Sequence, residues 1–517
     1  MEDPGARHRL FWSFGAQAVA ILLRILQQLA LVPILIRGWG PDVYGDWILV
    51  FSTTSTLSIL DFGMQIYFGN ALLIALSQGA TDLYKRLFAT ATALYAAVLG
   101  AAVTVLAAAS VFISWPSLFG THVMSADEVL RISLILALTT LMLIPFGLVT
   151  SAYRAHGDYS RGTAVSVIAE ALRGFGVCAV VWFGGSPLTA SLVYLFIAIL
   201  FQAGVLVDQR RRYGPLPLGI SVPHTAELKD AIARSSLYMM TTIASPVILN
   251  GPIILLGMLQ APSAAIVAYT TARTFTGFVR QIVAQFCHTI GAEMTRQQAA
   301  ADHIRLRRIF AGAGRMIGGL AGLLGGFTLI AAPLFLRIWT RGEVAFDPWL
   351  VRAFVATIIL TSPAQVALML YQYNNKPGIL IVAQGCYAVG TIAFCLVLIG
   401  GYSAAGAAAG TGLAEFLSIG MLLPYVATRE ITTPLAPYLW RSYGTALAAF
   451  GVGYGAAWGI GAALGVRSLL GLTVLGVAWS AVVALPAFYL ILAPQERDWL
   501  LRYAGAYGSR LGWRKSP

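Results

Sequence analysis

An apolar run of roughly 20–25 residues returns about fourteen times between Phe11 and Leu492, each time broken by a short polar turn. A helix of that length crosses the ~30 Å hydrocarbon core of a bilayer. Lipid offers no partner for free backbone N–H and C=O groups, so helices are the natural spanning element. The pattern predicts spans at 11–36, 44–76, 86–113, 128–150, 160–183, 188–208, 232–259, 265–290, 312–338, 349–373, 376–400, 403–426, 440–465 and 467–492. The expected fold is therefore an all-α polytopic membrane protein with very little chain outside the bilayer.

The longest connections, Asp208–Ala231 and Glu293–Ala311, are both basic. The first carries Arg210-Arg211-Arg212 followed by Pro215, Pro217 and Pro223, a composition suited to a linker. It divides the chain into an expected N-terminal lobe of six helices (1–208), a linker (209–231), a second lobe of six helices (232–428) and two further helices with a basic tail (429–517). A weak internal echo fits that division. Pro33-Ile34-Leu35-Ile36, Gly40-Pro41 and Phe51-Ser52-Thr53-Thr54 are answered by Pro252-Ile253-Ile254-Leu255, Ala261-Pro262 and Tyr269-Thr270-Thr271.

Composition agrees with the periodicity: 58% of residues are hydrophobic and 11% charged. A net charge of +13 raises the question of nucleic acid, but the placement of the charge excludes that reading. With the N-terminus in the cytoplasm, 24 of the 34 basic residues fall in inner segments or their helix ends, where they set topology and meet anionic headgroups. Both termini are thus expected in the cytoplasm. The first run is too long for a signal-peptide core and is followed by Arg37-Gly38-Trp39 rather than a small-residue cleavage site. Cys178, Cys287, Cys386 and Cys395 all fall in predicted helices without a C-x-x-C pair, and read as buried apolar side chains rather than disulfides or a metal site.

Three short motifs carry a family resemblance. Arg9-Leu10-Phe11-Trp12-Ser13-Phe14-Gly15 opens the chain, Arg37-Gly38-Trp39-Gly40-Pro41-Asp42-Val43-Tyr44-Gly45 closes the first helix, and Leu60-Asp61-Phe62-Gly63-Met64 lies late in the second. The segment Ala268-Tyr269-Thr270-Thr271-Ala272-Arg273 through Ile290-Gly291-Ala292-Glu293-Met294 adds a fourth. Together with helix number and lobe division, they resemble the polysaccharide-transport branch of the multidrug/oligosaccharidyl-lipid/polysaccharide (MOP) flippase superfamily. Trp39 stands where that family usually has leucine, and a proline common near the end of its eighth helix is absent. The resemblance implies two lobes around a central cavity in the bacterial inner membrane. The expected cargo is an undecaprenyl-diphosphate-linked oligosaccharide for O-antigen, exopolysaccharide or capsule synthesis, carried between leaflets by alternating access. Membrane lipids, and the polymerase and export machinery of the same pathway, are the expected partners.

Charges inside the apolar runs are the candidate chemistry, since each costs about 2.5–3.5 kcal/mol at the bilayer centre. Arg24 lies mid-helix in the first span, and Arg273 and Arg280 lie in the eighth, seven residues apart on one face. Arginine suits a diphosphate because its planar fork stays charged and donates two parallel hydrogen bonds. Arg24 and Arg273 are expected to grip the diphosphate, with Arg280 assisting. Glu170 and Arg173, at i and i+3, are expected to pair with each other. Asp61 and Glu415 are candidates for ion pairs or for coupling to an ion gradient. Trp39, Tyr44, Trp47, Trp115, Trp339 and Trp349 read as an interfacial belt.

An enzyme acting on the same lipids is the main rival from another class. The outer segments Trp115–Asp127 and Arg337–Trp349 offer only isolated His122, Glu343 and Asp347, and no catalytic, metal or cofactor motif appears in its required context. A drug exporter of the same superfamily is the second rival. Four internal arginines against Asp61, Glu170 and Glu415 favour an anionic cargo over a cationic drug.

Overall fold

The computed structural model describes residues 4–112, 120–215, 225–300, 302–374, 376–492 and 497; these are overwhelmingly helical and contain no strand. Trp115, most of the proline-containing linker and the basic tail from Arg502 onward lie outside the described residues. The helices are α1 (Pro4–Ser55), α2 (Met64–Ser77), α3 (Thr81–Phe112), α4 (Ala126–Ala155), α5 (Tyr159–Trp182), α6 (Pro187–Tyr213), α7 (Thr225–Met258) and α8 (Ser263–Ala299). There follow α9 (His303–Trp339), α10 (Pro348–Thr361), α11 (Gln365–Tyr373), α12 (Pro377–Glu415), α13 (Leu423–Glu430), α14 (Leu435–Leu464) and α15 (Leu469–Ile491).

Among the described residues ten helical spans are long and apolar enough to cross a membrane, or eleven with the pair Leu23–Asp61 and Met64–Ser77, which is bent by 43°. Dividing α1 at Gly40 and α12 at Ser403, where the backbone leaves the helical region, and adding α8 recovers the expected fourteen. Helix α8 fails the apolar criterion because Arg273, Arg280, Gln281, Gln285 and His288 interrupt it. The chain is a multi-pass membrane protein.

The polypeptide forms two compact units: Met1–Thr270 with Trp339–Ala345 and Thr391–Ala407, and Thr271–Ile338 with Phe346–Gly390 and Ala408–Pro517. These units part later in the chain than the 209–231 linker. The reason is that α7 packs on α1, on α2 and on the 3-10 turn Thr56–Asp61 between them.

In the first unit, α2, α3 and α4 share a core that includes Phe68, Leu72, Phe88, Tyr95, Leu141 and Leu148. α5 lies against both α1 and α6. The turn motif of α1 now has a physical account. Gly40 takes φ 77°, which a side chain would resist, and Pro41 restarts the helix with its φ already set. Asp46, fully buried, accepts backbone N–H bonds from His122 at 3.0 Å, Val123 at 2.8 Å and Met124 at 2.9 Å, and one from the Ser263 hydroxyl at 3.4 Å. One carboxylate thereby ties the α3–α4 connection and the start of α8 to α1.

The second unit packs Phe310, Ile317, Leu370, Tyr371, Ile419 and Leu423 into its main core. Phe310 stacks on Tyr438 with ring centres 4.8 Å apart, and the Tyr438 hydroxyl donates to the Pro363 carbonyl at 2.8 Å. That carbonyl belongs to a 3-10 break, Ser362–Ala364, between α10 and α11. Pro363 has no N–H to donate to the helix ladder, which favours the break, and the tyrosine from a neighbouring helix adds a donor to the broken segment. A π-helical turn, Phe416–Leu422, joins α12 to α13.

Two expectations about side chains are corrected. Tyr44, Trp47 and Trp339 are buried rather than interfacial. The Trp47 ring stacks on Phe51, and the Trp339 indole N–H donates to the Leu29 carbonyl at 2.8 Å. Trp349 is exposed as expected, whereas Cys386, read as buried, is exposed.

Candidate functional site

A cavity of about 500 Å³ opens in the first unit among α1, α2, α4 and α5. Each helix contributes polar groups at helical spacing. From α4 come Gly147, Thr150, Ser151 and Arg154; from α5 come Thr163, Ser166 and Glu170; α2 adds Gln65 and α1 adds Arg24. In α4 the positions run i, i+3, i+4, i+7 and in α5 the polar ones run i, i+3, i+7, with Val167 at i+4, the register of a single helix face. These are polar stripes on otherwise apolar spans, and they line one common recess.

Glycines make room for the large polar side chains. A Cβ at Gly147 would lie 2.1 Å from the Gln65 amide, and one at Gly69 would lie 2.3 Å from Nη2 of Arg154. Gln27, one turn beyond Arg24, occupies a similar notch over Gly174 of α5, which sets α1 close against α5. Gln65 is also fixed from behind. Its backbone N–H donates to the buried Asp61 carboxylate at 3.2 Å, and the Tyr95 hydroxyl donates to the same carboxylate at 2.8 Å. The Asp61-Phe62-Gly63 turn that makes this possible has φ 47° at Phe62 and 78° at Gly63. A Cβ at Gly63 would strike the Ser235 carbonyl oxygen at 2.7 Å, so only glycine fits where α7 crosses.

Among the described residues, the charges lining the cavity are two guanidiniums and one carboxylate. Arg24 Nη2 meets Glu170 Oε2 at 3.2 Å, with both side chains about half exposed (48% and 50%). Such an exposed single contact is worth at most about 1 kcal/mol. Arg154 lies in the same wall, and its Nε is buried without a hydrogen-bond partner. A buried donor left unpaired costs about 1–3 kcal/mol. Chemically, the site offers donors and positive charge to an anion with several oxygens.

Arg24 thus lies where a ligand could reach it. Glu170 pairs with Arg24 rather than with Arg173, because α1 comes close enough across the bundle to outcompete the local i, i+3 geometry. Arg173 instead lies over the Tyr194 ring, 5.6 Å from its centre. Asp61 acts as a cap and tyrosine acceptor at the start of α2. In the second unit, Arg280 Nη1 meets Glu415 Oε1 at 2.5 Å, and the 3%-exposed Glu415 also accepts from Thr361 at 3.1 Å and Tyr387 at 3.1 Å. Arg273 is half-buried on α8. Two of the isolated loop residues have structural duties as well. Asp347 caps α10 by accepting from Trp349 N–H at 2.9 Å, and the His122 N–H is held by Asp46. Sequence reasoning missed Arg154, which stands at the end of an apolar run and reads as a topology-setting charge. The stripe Gly147, Thr150, Ser151, Arg154 was the available signal.

No protein-family model matches the sequence, and no curated protein matches it either. Solved structures do. The lipid II flippase MurJ in an inward closed conformation aligns with a TM-score of 0.65 at 11% identity, over 92% of this chain and 99% of that one. An inward-facing multidrug resistance MATE transporter of the MOP superfamily aligns with a TM-score of 0.65 at 12% identity, over 80% and 94%. An outward-facing MATE transporter aligns with a TM-score of 0.54 at 14% identity, over 81% and 94%. Over the aligned residues the chain has the fold seen in MurJ and in these MATE transporters.

Proposed function

We propose that this protein is a flippase for a lipid-linked oligosaccharide, and that undecaprenyl diphosphate is the carrier whose headgroup it moves from the cytoplasmic to the outer leaflet of the bacterial inner membrane. The observation that carries the reading is the cavity cornered by Arg24 and Arg154. A diphosphate in bare hydrocarbon faces a prohibitive desolvation cost. A wet, cationic recess replaces its water with guanidinium donors, while the isoprenoid chain can remain in lipid. The fold shared with a lipid II flippase supports the same cargo class. In this reading the two lobes give alternating access, both termini are cytoplasmic, and Arg273 contributes to anion handling in the second half of the chain. The basic residues bordering the inner segments support that orientation.

The likeness to MATE transporters keeps a second reading, export of cationic drugs. The cavity argues against it, because its one carboxylate, Glu170, already faces Arg24 and a second guanidinium stands nearby. Deleting the gene in its native host separates the two. The flippase reading expects lipid-linked glycan to accumulate on the cytoplasmic face, with drug susceptibility unchanged. Unchanged glycan export together with a drug resistance phenotype on overexpression would replace it with the exporter reading.

A further inference from the structure

Arg24 and Arg154 share one cavity but stand in different electrostatic circumstances. Arg24 faces Glu170 through a single Nη2–Oε2 contact at 3.2 Å rather than a bidentate fork, and both side chains are about half exposed. Arg154 has its Nε buried without a partner, its Nη2 seated over the bare backbone of Gly69, and Gln65 and Ser151 beside it. Phosphate oxygens can take both arms of a guanidinium at once, and a one-point pair between half-solvated groups is readily displaced by such a ligand.

We infer that Arg154 is the cavity's primary anchor for a phosphate, and that Glu170 is a built-in surrogate anion that holds Arg24 in place until a phosphate takes it over. The inference rests on the flippase reading and assigns separate duties within its site. Its logic is one of charge. With Glu170 opposed to Arg24, the recess carries a single excess positive charge, enough to attract an anion onto Arg154. A second phosphate can engage Arg24 only by displacing Glu170 from it, so the carboxylate competes with the ligand for that guanidinium. Glu170 therefore weakens the bound state and hastens release, which a carrier needs and a storage site does not. Positioned this way, Glu170 is a specificity and release residue that acts through Arg24.

The test uses the purified full-length protein in detergent, with farnesyl diphosphate as the probe and farnesyl monophosphate as the comparison, read by calorimetry. Wild type should prefer the diphosphate. Arg154→Ala should weaken diphosphate binding at least tenfold, and Arg154→Lys less, since the charge remains while the fork is lost. Glu170→Gln should tighten diphosphate binding about fivefold or more and slow its dissociation. That gain should vanish in an Arg24→Ala background, because Glu170 acts only through Arg24. Glu170→Gln keeps the side-chain shape, and thermal unfolding of each variant separates a folding defect from a binding one. Unchanged affinity in Glu170→Gln, or a gain that persists without Arg24, would overturn the surrogate role. Arg154→Ala binding as wild type would overturn the anchor. Wild type ignoring both probes while binding a lipophilic cation would overturn the flippase reading itself, and this assignment with it.

Discussion

Arg24→Ala abolishes most glycan export at equal protein level in the membrane, with a loss of about 10- to 100-fold. The size follows from the chemistry. A hydrogen bond to a charged group contributes about 1.5–3 kcal/mol, and each 1.36 kcal/mol is a factor of ten in rate. The single 3.2 Å contact with Glu170 is lost with Arg24, but that exposed pair contributes little, so the loss is that of the guanidinium's hold on the cargo. Arg24→Lys should retain part of the activity, because a point charge remains where a planar fork is gone. The measurement is surface glycan per cell, normalised to membrane-inserted protein. Undiminished export by Arg24→Ala would remove this residue from the mechanism.

Glu415→Ala lowers the stability of the second unit by about 3 kcal/mol, the low end of what breaking a buried ion pair costs. The low end applies because Arg280 is 42% exposed and can find water, whereas Glu415 is almost wholly enclosed. Besides Arg280, the Thr361 and Tyr387 hydroxyls lose their acceptor. The apparent Tm of the purified protein should fall by roughly 5–10 °C. Glu415→Gln keeps an acceptor for the two hydroxyls and should lose less. Pairing it with Arg280→Gln replaces the ion pair by a neutral pair, so the double variant should be more stable than Glu415→Ala. An unchanged Tm in Glu415→Ala would contradict the structural role assigned to this cluster.

The fold was readable because a bilayer imposes its own ruler. Runs of some twenty apolar residues have one common solution, and the breaks at Gly40-Pro41 and near Ser403 sit where glycine, proline and small polar residues interrupt those runs. Arg24 was readable for the same reason, as a charge where lipid tolerates none. Its partner was not. Glu170 has an arginine three residues away, and local helix geometry points to that pair, but the actual contact is with a residue 146 positions distant. Tertiary proximity of that kind leaves no mark on local spacing. Arg154 was hidden differently, since arginines at helix ends usually serve topology, and only the polar stripe beneath it signals a cavity. Asp46 carries no signal of its role in the sequence, because its hold on three loop amides depends on where the α3–α4 connection passes.

The central claim is that guanidiniums in the first unit carry a lipid diphosphate across the bilayer. Reconstituting the protein into liposomes that contain a fluorescent undecaprenyl-diphosphate disaccharide, and following the label's accessibility to an external quencher or enzyme, tests it most directly. The account predicts transbilayer movement well above that in protein-free liposomes, and its loss in the Arg24→Ala, Arg154→Ala double variant. Movement that is equally fast in the double variant, or no movement by a correctly folded wild type, would contradict it.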